Sequence, residues 1–184
     1  MDVSKINSLV ELYFKKVEQI DKKKPFLQWL NPKNNHQYNW EEVTEKIYKF
    51  SYKIKSLIKE GDRVLLLSEN RPEWLIADLA IMNAGGITVP IFTTYAERDY
   101  EYILKDCSPS LIVVSNDTQF EKINKFIDNQ EIISFEKIKT SSITFESIFN
   151  EKYEKAINDK LNRKLPACII YTSGTSGNPK GVIL

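Results

Sequence analysis

Short runs of uninterrupted apolar residues, separated by helix-length segments, constrain this chain more than any other feature. Val64-Leu65-Leu66-Leu67, Leu111-Ile112-Val113-Val114 and Ala167-Cys168-Ile169-Ile170-Tyr171 are continuous rather than alternating. A strand that is apolar at every position must be covered on both faces. The intervening segments carry the helical period that such covering needs. Val43, Ile47, Phe50, Ile54 and Leu57 recur at steps of four and three, an amphipathic helix that Gly61 closes. Pro72 suits the first turn of a second helix, whose body over 74–82 is apolar nearly all round except for Asp78 and is expected inside. Gly85-Gly86 ends it, and residues 87–92 read as the next strand, with Pro90 marking a strand end. Ala96, Tyr100, Ile103, Leu104 and Cys107 form a third stripe before the strand at Leu111. Phe120, Ile123 and Ile127 predict a further helix and Ile132-Ile133 a strand; Phe145, Ile148, Phe149 and Ile157 predict one more helix. Upstream, Ile6, Leu9, Val10, Tyr13, Phe14, Val17 and Ile20 make one helical stripe. Residues 26–30 and 36–40 then read as a hairpin around the turn-rich 31–35. The alternation predicts an α/β fold, mainly a parallel sheet layered with helices.

Charge and composition exclude several classes. Lys plus Arg is 26 and Asp plus Glu is 25, a net charge of +1, which argues against a nucleic-acid binder that works by neutralising phosphates. Aromatic residues at 11% argue against disorder. Cys107 and Cys168 are too far apart in sequence for a metal-binding pair or a redox motif and read as small buried hydrophobes. His36, the single histidine, has no neighbouring acid or thiol and reads as an exposed loop position; Lys22-Lys23-Lys24 reads as a solvated turn. The N-terminus has no basic region followed by an apolar run, and no apolar stretch approaches the ~20 residues that span a bilayer. The expected location is the cytoplasm.

The chemistry concentrates in Tyr171-Thr172-Ser173-Gly174-Thr175-Ser176-Gly177-Asn178-Pro179-Lys180-Gly181, which follows a buried strand directly. Glycines let backbone N–H groups approach an anion closely. The hydroxyls of Thr172, Ser173, Thr175 and Ser176 can donate to phosphate oxygens or ligate Mg²⁺. Lys180 brings a mobile positive charge suited to β- and γ-phosphates. A flexible polar linker would be flanked by polar sequence, whereas this loop lies between Ile169-Ile170-Tyr171 and Val182-Ile183-Leu184. It is not a Walker A loop: counted from Gly174, Pro179 stands where that pattern needs Gly, and Gly181 where it needs Ser or Thr. A dinucleotide-type G-x-G-x-x-G is absent too.

This loop resembles the phosphate-binding motif of the AMP-forming adenylate-forming enzymes, the acyl-CoA synthetase group, with Ser176 where that family more often has Thr. Gly61-Asp62-Arg63-Val64, Glu69-Asn70-Arg71-Pro72-Glu73-Trp74, Gly85-Gly86-Ile87-Thr88-Val89-Pro90 and the stretch from Ala96-Glu97 to Asp106 extend the likeness toward long-chain fatty acid–CoA ligases. The resemblance implies a carboxylate attacking the α-phosphorus of Mg-ATP to give acyl-adenylate and pyrophosphate. The CoA thiol then displaces AMP. It assigns the β- and γ-phosphates to Thr172, Ser173, Gly174, Thr175, Ser176, Gly177 and Lys180, with ATP, Mg²⁺ and CoA as cofactors or co-substrates and a fatty acid as substrate. It assigns no catalytic residue and no metal ligand here, and leaves peripheral membrane contact open. A different carboxylate, or a non-catalytic nucleotide-binding module, is the alternative reading.

The family's adenine, Mg²⁺, acyl and C-terminal lysine features have no positions in this sequence. Residues 1–184 are therefore expected to be an incomplete N-terminal part of an AMP-binding (adenylate-forming) domain, inactive alone. Arg71-Pro72-Glu73-Trp74 reads as a helix start, and the aromatic stretch over 92–102 as core packing rather than an acyl tunnel.

Overall fold

The computed structural model describes residues 3–30, 35–140, 143–172 and 178–184. A 3-10 turn at Val3–Lys5 leads into α1 (Leu9–Glu18), which Ser8 caps by accepting from the Glu11 N–H. Strands β1 (Pro25–Trp29) and β2 (His36–Asn39) pair antiparallel. Helix α2 (Trp40–Lys55) starts at Trp40, so the strand before it stops at Asn39 rather than Trp40. Asn39 and Glu42 form a reciprocal capping box there, and this draws Trp40 into the helix.

The alternating units follow as β3 (Arg63–Leu67), α3 (Pro72–Asn83), β4 (Ile87–Ile91), α4 (Glu97–Cys107), β5 (Leu111–Val114), α5 (Asp117–Phe120), β6 (Glu131–Ser134), β7 (Ile143–Thr144) and α6 (Phe145–Phe149). Among the described residues β3 to β7 form one parallel sheet in the order β4-β3-β5-β6-β7. Pro90 lies inside β4 rather than at its end, tolerated because β4 flanks the sheet and needs few ladder donors on its outer side.

The continuous apolar runs of β3 and β5 are explained by two cores, whereas residues 167–170 of the third run are only half-buried and Tyr171 alone of that run is buried. Val64, Leu66, Leu111 and Val113 face one core with α1, α2, α3 and α6, while Leu65, Leu67, Ile112 and Val114 face another with α4, Phe120 and Ile123. Successive residues of one strand thus feed opposite layers, so polar positions have no place in it.

Three expectations need correction. Phe120 to Ile127 is not one helix: α5 ends at Phe120, and a 3-10 turn covers Asn124–Phe126. Ile157 is not on α6, which stops at Phe149; Ile157 stands 44% exposed. Cys168 is only half-buried, although Cys107 is buried as expected and burial pushes its thiol up to about 12. Arg71 precedes Pro72 at the start of α3, as read, but its guanidinium is also buried. It bonds Glu73 at 2.8 Å and Glu136 at 2.6 Å and lies 4.6 Å from the centre of the Trp29 ring.

The order β4-β3-β5 places the second and third strands of the sheet on opposite sides of the first. Open α/β sheets bind ligands at the carboxyl ends of strands around such a reversal. Between β3 and β5 that position is filled from within. Glu69 accepts from Ser115 at 2.6 Å, Gln119 at 2.5 Å and Asn116 at 3.4 Å. Burial alone would raise the Glu69 carboxyl, but these donors outweigh it and hold the pKa below the ordinary value.

Candidate phosphate-binding hairpin

After α6 the chain runs back to the free side of β4. Thr88 donates its N–H to the Ala167 carbonyl at 3.2 Å, and Cys168 lies beside Thr88 in a parallel bridge. That bridge sends β8 (Ile169–Thr172) along β4, so Thr172 emerges at the carboxyl end of the sheet. There β8 turns back into β9 (Lys180–Ile183) in the antiparallel register Ile169↔Ile183, Ile170↔Val182, Tyr171↔Gly181 and Thr172↔Lys180.

Of the residues expected to meet phosphate, Thr172 and Lys180 are thus directly opposite each other at the mouth of a hairpin, and both are exposed. Ser173, Gly174, Thr175, Ser176 and Gly177 lie outside the described residues. Pro179 is buried at the foot of the returning strand. Thr172 brings a hydroxyl and Lys180 an ammonium to one end of one two-stranded element, both open to solvent. A donor and a cation so placed are open to an anion arriving from solvent. Among the described residues no three His, Cys, Asp or Glu side chains gather into a metal site. The Thr172 hydroxyl suits a Mg²⁺ that arrives on phosphate oxygens, because that ion keeps several waters and takes few protein ligands.

The hairpin's base is held by groups that spacing does not reveal. Tyr171 is 3% exposed and donates its hydroxyl to Asp106 Oδ2 at 2.5 Å. Burial, then the bond to Asp106, pushes this phenol well above its ordinary value. Tyr95 donates its hydroxyl to the Tyr171 carbonyl at 2.9 Å, and Tyr100 donates to the Phe92 carbonyl at 2.9 Å. The aromatic stretch after β4 is therefore a set of polar props as well as packing, and Phe92 is 63% exposed rather than in the core. Gly181, part of the glycine-rich motif, has a local reason to be glycine. A Cβ there would come within 3.0 Å of Ile169 Cγ2 and 3.2 Å of Tyr171 Cζ. The signal that could have pointed to Tyr171 is its lone polar atom at the end of an apolar run, since a buried tyrosine hydroxyl needs a partner; Tyr95 stands among polar residues and carries no such signal.

A profile of the AMP-binding enzyme family matches residues 14–184. The chain belongs to this family. Among its curated relatives, the long-chain-fatty-acid–CoA ligase ACSBG1 of Homo sapiens is 31% identical over 145 residues, covering 71% of this chain and 20% of the relative. The long-chain-fatty-acid–CoA ligase ACSBG2 of Gallus gallus is 32% identical over 146 residues, covering 71% of this chain and 19% of the relative. The chain spans about a fifth of the length of these curated relatives. The fold is that of solved adenylate-forming enzymes. The anthranilate CoA ligase AuaEII in complex with anthranoyl-AMP superposes with a TM-score of 0.83 at 22% identity, over 100% of this chain and 36% of that one. The luciferase-like enzyme of the mealworm Zophobas morio gives 0.84 at 20% identity, over 100% of this chain and 44% of that one. Among the described residues of this AMP-binding family member, no helix is long and apolar enough to cross a membrane.

Proposed function

We propose that this chain is the N-terminal part, residues 1–184, of an adenylate-forming domain that activates a long-chain fatty acid. ATP would give acyl-adenylate and pyrophosphate, and CoA would then give acyl-CoA. The observation that carries the reading is the hairpin mouth, where Thr172 and Lys180 face each other across the glycine-and-hydroxyl loop at the carboxyl end of the sheet. The fatty-acid assignment draws support from the 30–32% identity to ligases named for long-chain fatty acids.

In this reading the loop residues Ser173, Gly174, Thr175, Ser176 and Gly177 and their flanks Thr172 and Lys180 bind the β- and γ-phosphates. The Thr172 hydroxyl donates to a phosphate oxygen or adds one ligand to the metal, and Mg²⁺ supplies charge neutralisation on the phosphates. Lys180 would bring its ammonium to the negative charge that grows as pyrophosphate leaves. A cation that meets that growing charge stabilises the transition state more than the ground state. The 184 residues are not expected to complete CoA ligation alone, since they correspond to about a fifth of each curated relative.

The test is a carboxylate panel, long-chain fatty acids beside aromatic and amino acids, assayed for ATP-dependent AMP and pyrophosphate release. It is run on the 184-residue chain and on any longer product of its reading frame. Fatty-acid-dependent release from a longer product, with no acyl-CoA from the short chain, is expected. Release only with aromatic or amino acids removes the fatty-acid assignment, and acyl-CoA from the short chain removes the partial-domain assignment. In the active form Lys180→Ala should slow adenylate formation by about ten- to a thousandfold, the scale of losing one preorganised charge contact. An unchanged rate of fatty-acid-dependent pyrophosphate exchange would remove Lys180 from its role.

A further inference from the structure

The stems of the hairpin rest on residues outside the expected phosphate set. Tyr171 is the last buried residue before the loop, and its ring lies against Gly181, its direct partner on the returning strand. A Cβ at Gly181 would crowd the ring, at 3.2 Å from Tyr171 Cζ. From that position the Tyr171 hydroxyl reaches Asp106 at 2.5 Å, near the end of α4. The backbone at the same residue is held independently, by the Tyr95 hydroxyl on the Tyr171 carbonyl at 2.9 Å. The segment that carries Tyr95 is in turn pinned at two carbonyls just before it. Tyr100 donates to the Phe92 carbonyl at 2.9 Å, and Lys122 Nζ donates to the Thr93 carbonyl at 2.7 Å. Arg63 Nε fixes the far end of α4 through the Cys107 carbonyl at 2.7 Å.

We propose that Tyr171, Asp106, Tyr95 and Gly181 form a clamp that fixes both stems of the phosphate loop against α4, making the two tyrosines positioning residues for the triphosphate. The proposal rests on the reading of the loop as a phosphate site and adds what orients it. A hairpin of two four-residue strands is marginal by itself in water. Its orientation depends on what fixes its base. The clamp supplies that through one side-chain and one main-chain attachment at a single residue. Gly181, which composition alone would place among the anion-cradling glycines, serves the clamp by leaving room for the Tyr171 ring.

The experiment uses the whole chain with Mg-ATP as probe, titrated into the millimolar range and followed by backbone NMR, together with amide hydrogen exchange and thermal unfolding. Tyr171→Phe removes one attachment and Tyr95→Phe the other, each keeping the ring. Each variant should speed exchange of the hairpin amides by about tenfold, the scale of one charge-assisted or well-formed hydrogen bond. Protection in β3 and β5 and the unfolding midpoint should change little, and the Mg-ATP dissociation constant should rise by a similar factor. Combining Tyr171→Phe with Asp106→Asn should add nothing to Tyr171→Phe alone. Unchanged hairpin exchange in both variants overturns the clamp. Faster exchange with an unchanged dissociation constant overturns its positioning role. A wild-type chain that shows no Mg-ATP shifts near Thr172 and Lys180 overturns the phosphate reading instead, and the proposal falls with it even if the exchange effect is seen.

Discussion

Asp78 interrupts the most apolar helix of the molecule. Its carboxyl is pushed up by burial, and the nearby Thr88 hydroxyl, which finds no well-formed hydrogen-bond partner, offsets this only in part. An acid whose folded pKa is raised favours the folded state most when protonated. Its contribution is fully present below the unfolded pKa and is lost as pH rises through the folded one. At neutral pH Asp78 is therefore a cost to folding, and an amide of the same shape should relieve it while offering Thr88 a donor. Asp78→Asn is expected to raise the thermal midpoint at pH 7 by about 2–4 °C, and the gain should shrink as the solution is acidified toward the unfolded carboxylate range. Calorimetric scans at several pH values check this; a gain that is constant with pH would place its origin elsewhere. Glu69 has the opposite sign. Its donors lower the folded pKa, so its contribution is present above the unfolded pKa and is lost as pH falls through the folded value.

At the scale of elements, the glycines around α3 show how one residue type can serve two physical needs. Gly61 has φ +83° with nothing within 4 Å of an added Cβ, so only backbone conformation demands it. Gly86 has no such φ, yet a Cβ there would meet Ile58 Cδ1 at 2.8 Å, Ile81 Cγ2 at 3.1 Å and the Ile81 carbonyl at 3.3 Å. The Ile58 tip can swing aside; a β-branched side chain and a helical carbonyl give far less. Gly86→Ala is expected to cost about 1–3 kcal/mol by overpacking, and Gly61→Ala about 1 kcal/mol by strain. Urea unfolding measures both. The discriminating variant is Gly61→Asn, which should recover part of the loss because Asn tolerates the left-handed region, whereas Gly86→Asn should not. The turns were readable in sequence as helix stops; which of the two needs each glycine meets was not, because that depends on where Ile58 and Ile81 point. The strands were legible for a similar reason in reverse. A run such as Val64-Leu65-Leu66-Leu67 has only one way to hide both faces, whereas Ile157 had other places to go once α6 stopped at Phe149. The family was legible from the glycines and hydroxyls of the loop. The props of its hairpin were not, since Tyr95 is 76 residues from the carbonyl it holds.

The whole molecule is two apolar layers sharing one sheet, and that sharing decides whether it melts as one body. The sequence has three tryptophans. Trp40 and Trp74 pack against the layer of α1, α2, α3 and α6, and Trp29 stacks on Arg71. Tryptophan fluorescence therefore reports from around that layer, whereas far-UV circular dichroism sums both. Leu66 and Ile112 are each fully buried, Leu66 facing the tryptophan layer and Ile112 the opposite one. Truncating either to Ala should cost about 2–5 kcal/mol. Because Leu65 and Leu66 are consecutive residues of the same strand, neither layer can loosen without disturbing the backbone ladder that orders the other. Both variants should shift the fluorescence and dichroism midpoints together, as a two-state transition requires. An Ile112→Ala chain whose dichroism moves while its tryptophan signal stays in place would mean that the α4 layer melts separately. The Tyr171 clamp sits on that layer, so the hairpin would then lose its support well before the sheet unfolds.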